Sequence, residues 1–127
     1  MKGYRKIQIA GALALGLFGS AVLAHHSGAM FDRNEVRELH GTIKEFQFTN
    51  PHTWIQVNVP NEKGEIVEWS VEWGSPNQLR RQGVHPNTFP PGAEVTIRVN
   101  PMTDGSPAAS FIGAKFKDGT VIGRWEN

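Results

Sequence analysis

Apolar and polar positions alternate most clearly in residues 41–59, GTIKEFQFTNPHTWIQVNV. Ile55, Val57 and Val59 fall on one face and Trp54, Gln56 and Asn58 on the other, the period of a half-buried strand. Upstream, Leu39, Gly41 and Ile43 share a parity, and then Phe46 and Phe48 take the opposite one. A slip of one residue near Lys44 and Glu45 would swap the two faces unless a β-bulge absorbs it. A long first strand bent at a glycine or bulge is how a small sheet curls toward closure. Asn50-Pro51 joins the two strands, with His52 at the joint.

The same patterning continues downstream. Residues 60–64 predict a hairpin into a third strand, with Val67, Trp69, Val71 and Trp73 inward and Ile66, Glu68, Ser70 and Glu72 outward. Ser75-Pro76-Asn77-Gln78 predicts a helix start, with serine as N-cap, proline at the first helical position and glutamine closing a capping box. Gly83 then ends a helix of about two turns, leaving Val84 to touch Leu79. Val95, Ile97 and Val99 mark a fourth strand and residues 109–117 a fifth. Between them lies the turn Asp104-Gly105-Ser106-Pro107, and Asp118-Gly119 leads into Val121-Ile122. Upstream, residues 29–31 read as a short strand that a turn at 32–35 returns antiparallel onto residues 36–48. The order predicts an all-β chain with one short helix, folded as a small OB-like barrel of five to six strands whose helix plugs one end. A small β-sandwich is the alternative.

The N-terminus changes the charge balance. Lys2, Arg5 and Lys6 precede an apolar run from Ile7 to Leu23, and Val22-Leu23-Ala24 supplies small residues before a cleavage site. This predicts a signal peptide over residues 1–24, export to the periplasm, and a single mature domain over 25–127 with no membrane span. Three of the 13 Lys+Arg residues leave with the signal, so 10 remain against 12 Asp+Glu, a net of −2. A mature chain of that charge has no basic field for nucleic acid. With zero cysteines there is no disulfide, thiol chemistry or lipid-anchored cysteine.

Several short pieces taken together are familiar: His25-His26-Ser27, Met30-Phe31-Asp32, Gly41-Thr42-Ile43, Asn50-Pro51-His52, Glu68-Trp69-Ser70, Gly74-Ser75-Pro76-Asn77 and Asp104-Gly105-Ser106-Pro107. In this order they resemble an uncharacterised family of exported bacterial proteins, domain of unknown function 6152. The resemblance spans nearly the whole mature chain. It implies an envelope location in Gram-negative bacteria and carries no activity with it.

Cleavage after Ala24 would expose His25 with both a free α-amine and an imidazole. Such a nitrogen pair favours Cu(II) among divalent ions, and an amine with a pKa of about 8 yields its proton readily to a metal. His26 offers a second imidazole, and His52 or His40 a third. Pairing across the 32–35 turn would set His26 and Ser27 beside His40 and Gly41, leaving His52 ~30 Å away along a straight strand. Display on a proline-fixed loop nonetheless favours His52, although Asn-Pro-His is also what a well-made corner needs. The set resembles, in residue type alone, the histidine brace of copper monooxygenases and the N-terminal histidine of periplasmic copper carriers. Asn50, His52 and Trp54 are candidate ligand contacts on the loop where OB-folds bind, whereas Trp69 and Trp73 belong to the core.

Glu68 and Glu72 read as solvated carboxylates, Arg80 and Arg81 as an exposed helix face, and His85 as a surface residue. No Ser-His-Asp order, phosphate loop or HExxH pattern is present, so no catalytic residue is assigned. The first expectation is a periplasmic binding module for copper or another transition metal through His25, His26 and His52. The alternative is an adaptor binding an envelope protein or glycan through the loop between the first two strands. The third is a copper-dependent oxidase or monooxygenase.

Overall fold

The computed structural model describes residues 28–126. A single 3-10 turn, Gly28–Met30, precedes β1 (Arg37–Gln47), β2 (Trp54–Pro60), β3 (Ile66–Glu72), α1 (Pro76–Arg81), β4 (Glu94–Pro101), β5 (Ala108–Phe116) and β6 (Val121–Gly123). The sheet order is β3-β2-β1-β4-β5-β6, and a parallel pairing of β3 with β5 closes the first five strands into a barrel. The OB-like barrel expected from the strand order is the architecture found, and β6 is an extra strand on its rim.

Closure rests on β1, which serves two neighbours along its length. Its first half pairs with β4, from Arg37 opposite Val99 to Thr42 opposite Glu94, and its second half pairs with β2. Thr42 is paired on both sides. The register with β2 shifts between Ile43 and Glu45, the bulge that the parity change required. Beyond it Phe46 returns to the barrel interior, because an extra residue swaps the faces of everything after it.

Inside the barrel, Leu39, Ile43, Ile55, Val57, Val71, Val95, Ile97 and Val99 form one buried cluster. Its aromatic centre is Phe89, from the loop after α1. This ring is fully buried, and its centroid lies between 5.2 and 6.3 Å from those of Phe46, Trp73, Phe111 and Phe116. Leu79 of α1 and Val84 after it are also buried but stand outside that cluster. A loop phenylalanine therefore fills the centre of the core. Ser75 caps α1 by accepting from the Gln78 amide at 3.4 Å, and Gly83, at φ +82°, ends the helix. The Val84 amide reaches back to the Leu79 carbonyl at 3.0 Å, the wrap typical of a glycine-terminated helix.

The hairpin turns also have the chemistry their residues suggest. Asn61 Oδ1 accepts from the Lys63 and Glu65 amides, and Asp118 Oδ1 from the Thr120 amide. Hydrogen bonding from Thr120 holds the Asp118 carboxyl below the usual aspartate range, since the bond favours the charged form.

One expected element is different. Residues 29–31 do not pair with β1. Phe31 instead forms an isolated bridge with Met102, just beyond β4. The Asp32 amide donates to the Pro101 carbonyl at 2.8 Å, and the Thr103 amide to the Met30 carbonyl at 2.9 Å. The turn at 32–35 survives, with the Asn34 amide bonded to Asp32 Oδ1. What it joins to β1 is a segment strapped to the far end of β4.

At Gly41 the β1 and β2 backbones approach so closely that a Cβ would collide with the Asn58 carbonyl. Gly41→Ala is therefore expected to destabilise the domain by about 3 kcal/mol, the upper part of the overpacking range. The melting temperature should fall by roughly 12 °C in a domain of this size. Thermal unfolding followed by circular dichroism checks it, and an unchanged midpoint would contradict the crowding.

Candidate functional site

Thr53 sets the geometry of the loop between β1 and β2. It is fully buried, its amide and hydroxyl both donate to the Gly74 carbonyl, at 3.0 and 3.1 Å, and its own carbonyl accepts from the Trp73 amide at 3.0 Å. These bonds extend the β2–β3 ladder past the end of both strands. The register places Trp54 opposite Glu72, and the residue before Thr53 shares the face of Trp54 and reaches Glu72 diagonally. That residue is His52, and the peptide Asn50–Pro51 ahead of it is cis.

His52 Nδ1 is hydrogen-bonded to Glu72 Oε1. The two differ in environment: the His52 side chain is 47% exposed and that of Glu72 is 9% exposed. The carboxylate accepts from Nδ1–H, which leaves Nε2 as the ring nitrogen free to act as a ligand or acceptor. A carboxylate on one imidazole nitrogen is the usual support for a histidine whose other nitrogen holds a metal, because it fixes the tautomer and ring orientation and raises basicity.

Glu72 is a correction to the solvated carboxylate pair expected on β3. Glu68 stays exposed on its strand and pairs with Lys44, but Glu72 is buried at the end of β3 and bonded to His52 of the β1–β2 loop. The signal for the pairing was in the hairpin. A turn at 60–64 sets a register in which residue 72 faces Trp54, one turn of chain from His52.

The pair opens onto a cavity of about 310 Å³, also lined by Phe31, Arg33, Gln78 and Ser110. These come from the N-terminal segment, its turn, α1 and β5, so four parts of the chain meet there. Asn50 is exposed on the loop, and Trp54 is half-buried on the outer face of β2; neither lines this cavity.

His40 lies elsewhere. Its Nδ1 is 3.0 Å from Thr96 Oγ1, and it lines a different and larger cavity of about 680 Å³ with Pro60, Ile66, Val95, Lys115 and Phe116. Size alone would favour that cavity. Its rim, however, is largely occupied by internal pairs, His40 with Thr96 and Lys117 with Glu94 at 2.6 Å. The smaller cavity holds the ligand-type chemistry. His25 and His26 lie outside the described residues, and so does the expected cleavage site after Ala24. Among the described residues no three His, Cys, Asp or Glu side chains gather as a metal site.

The other expected surface residues have ordinary roles. His85 is exposed in its loop, and the Arg80 guanidinium sits 5.1 Å from the Phe48 ring centroid, covering it from solvent. Trp69 and Trp73 are half-buried against the core.

The closed five-stranded order with a histidine–carboxylate pair at one loop defines a small OB-like β-barrel. Residues 14–111 match the family of unknown function DUF6152, and the chain belongs to it. No curated protein and no solved structure matches it.

Removing the histidine should strand a buried carboxylate. His52→Ala is expected to cost about 1–2 kcal/mol, and less than half as much when Glu72 is already glutamine. Urea denaturation of the four proteins of this cycle measures it. Equal costs in both backgrounds would mean that the two side chains do not interact.

Proposed function

We propose that this protein is an exported binding module of the periplasm that holds a transition-metal ion, copper first, between its mature N-terminal histidine and His52. The single observation supporting this is that Phe31 and the His52–Glu72 pair line the same cavity. His25 precedes Phe31 by six residues, which span at most roughly 20 Å of extended chain. The strap of residues 30–32 on the end of β4 supports a reach from His25 to His52, which a hairpin onto β1 would not.

In this role Nε2 of His52 is the barrel's ligand and Glu72 is its positioning residue. The His25 α-amine and imidazole supply two further nitrogens, and His26 is available as another. A largely nitrogen set of this kind suits Cu(II) best and Zn(II) next. One or two ligands from a tail and one from a rigid barrel also suit a carrier, which must release its ion as well as bind it.

The test uses protein processed in the periplasm, whose mass should correspond to residues 25–127. Titration with Cu(II) and Zn(II) should show one tight site. A glycine added ahead of His25, or His52→Ala, should weaken Cu(II) binding by at least about tenfold, and Glu72→Gln by about 10–100-fold. Affinity indifferent to both the added glycine and His52→Ala contradicts the proposal. Absence of any metal binding would leave the loop carrying Asn50 and Trp54 as an adaptor surface for an envelope protein or glycan. Turnover with a reductant and oxygen would instead mark an oxidase.

A further inference from the structure

Strand β1 leaves part of its own backbone unpaired. The Ile43 amide donates to the Ala93 carbonyl, and the Ile43 carbonyl accepts from the Gly92 amide, both on the β4 side. Backbone groups alternate along a strand, so those of Glu38, His40 and Thr42 point the other way, toward β2. Thr42 meets Asn58 there, and the pairing with β2 stops. The same register would next set His40 opposite Pro60, which has no amide to donate. The amides and carbonyls of Glu38 and His40 therefore have no hydrogen-bond partner among the described residues.

This open edge lies in the larger cavity, a cleft of about 680 Å³ between the tip of the β2–β3 hairpin, the start of β4 and the end of β5. Residues in register across the sheet give its cross-section: Ile66 and Pro60, then the opening, then His40, Thr96 and Lys115. The hairpin wall is apolar, and Ile66 on it is 61% exposed. The far wall ends in Lys115, which has no carboxylate partner, whereas Lys117 is paired with Glu94. An unpaired strand edge beside an exposed apolar side chain is what strand addition uses.

We propose that the β1 edge at Glu38 and His40 is a docking site for an extended peptide of another protein, which adds as a strand in the place that β2 vacates and carries an acidic residue opposite His40. The occupant is extended because Glu38 and His40 each need a donor and an acceptor, roughly 7 Å apart along the strand, and a second strand backbone repeats at that spacing. Its side chain in the His40 row lies between the apolar hairpin wall and Lys115. A glutamate suits that place, with its methylenes against Pro60 and Ile66 and its charge toward the lysine. The site shares no residue with the His52 cavity and needs no metal ion.

The test combines hydrogen exchange with a probe peptide. In free protein the Glu38 and His40 amides should exchange at least about a hundredfold faster than those of Leu39 and Gly41, which face β4. The probe is acetyl-Thr-Val-Glu-Val-Thr-amide, titrated at low salt and followed by NMR. It should shift the Glu38 and His40 amide signals and slow their exchange. N-methylation of the peptide's glutamate, or its replacement by lysine, should weaken binding at least about fivefold. Lys115→Glu in the protein should reverse the preference between the glutamate and lysine peptides. Absence of a saturable shift up to roughly 1 mM peptide, shifts confined to other residues, or equal affinity for the N-methylated peptide overturns the proposal. Slow exchange of the two amides in free protein also overturns it, and if that protection is lost on dilution, a second copy of the chain occupies the edge instead.

Discussion

Three hydrogen bonds at Thr53 hold the candidate site together. Its amide and hydroxyl both reach the Gly74 carbonyl, and its carbonyl receives the Trp73 amide, so a fully buried residue ties the β1–β2 loop to the end of β3. Buried backbone groups must find partners, and here they find them across a gap that neither strand spans. One position before Thr53 is His52, and beneath it is Glu72. The loop histidine is therefore not a tip waving in solvent. It is held by its backbone on one side and by a carboxylate on its ring.

The barrel supplies what the loop needs. Because β1 bends at its bulge and pairs with β4 and then β2, the end of β3, the start of β5 and the segment beyond β4 converge on one rim. His52, Glu72, Ser110 and the N-terminal strap meet there for that reason. The cavity around His40 is larger, but four of its polar side chains pair with one another, His40 with Thr96 and Lys117 with Glu94.

Much of the fold was legible because it is local. Alternation over 54–59, 66–72 and 94–99 marks strands, the parity change before Phe46 marks a bulge, and Ser75-Pro76 with Gly83 marks both ends of one helix. Two features were not local. Phe31 pairs with Met102, some seventy positions downstream, and no pattern in residues 29–31 distinguishes that partner from β1 across a tight turn. Glu72 looks like Glu68 in every respect that periodicity can read. It is nonetheless buried, and the hairpin register sets Trp54 opposite it, with His52 reaching it diagonally on the same face. Phe89 is similar: a ring in a proline-stiffened loop carries no periodicity, yet it fills the centre of the aromatic core.

The candidate site was legible in part. His52 stood out on its loop, whereas its supporting carboxylate and the polar side chains around it come from β3, α1, β5 and the turn before β1, which only the closed barrel assembles. The central claim is that a metal ion bridges the mature N-terminus and the His52 imidazole. Pulsed electron paramagnetic resonance of Cu(II)-loaded mature protein tests it most directly. A modulation from the remote nitrogen of the His52 ring, lost in His52→Ala while copper is still present, is the predicted result. A spectrum identical in the two proteins would contradict it.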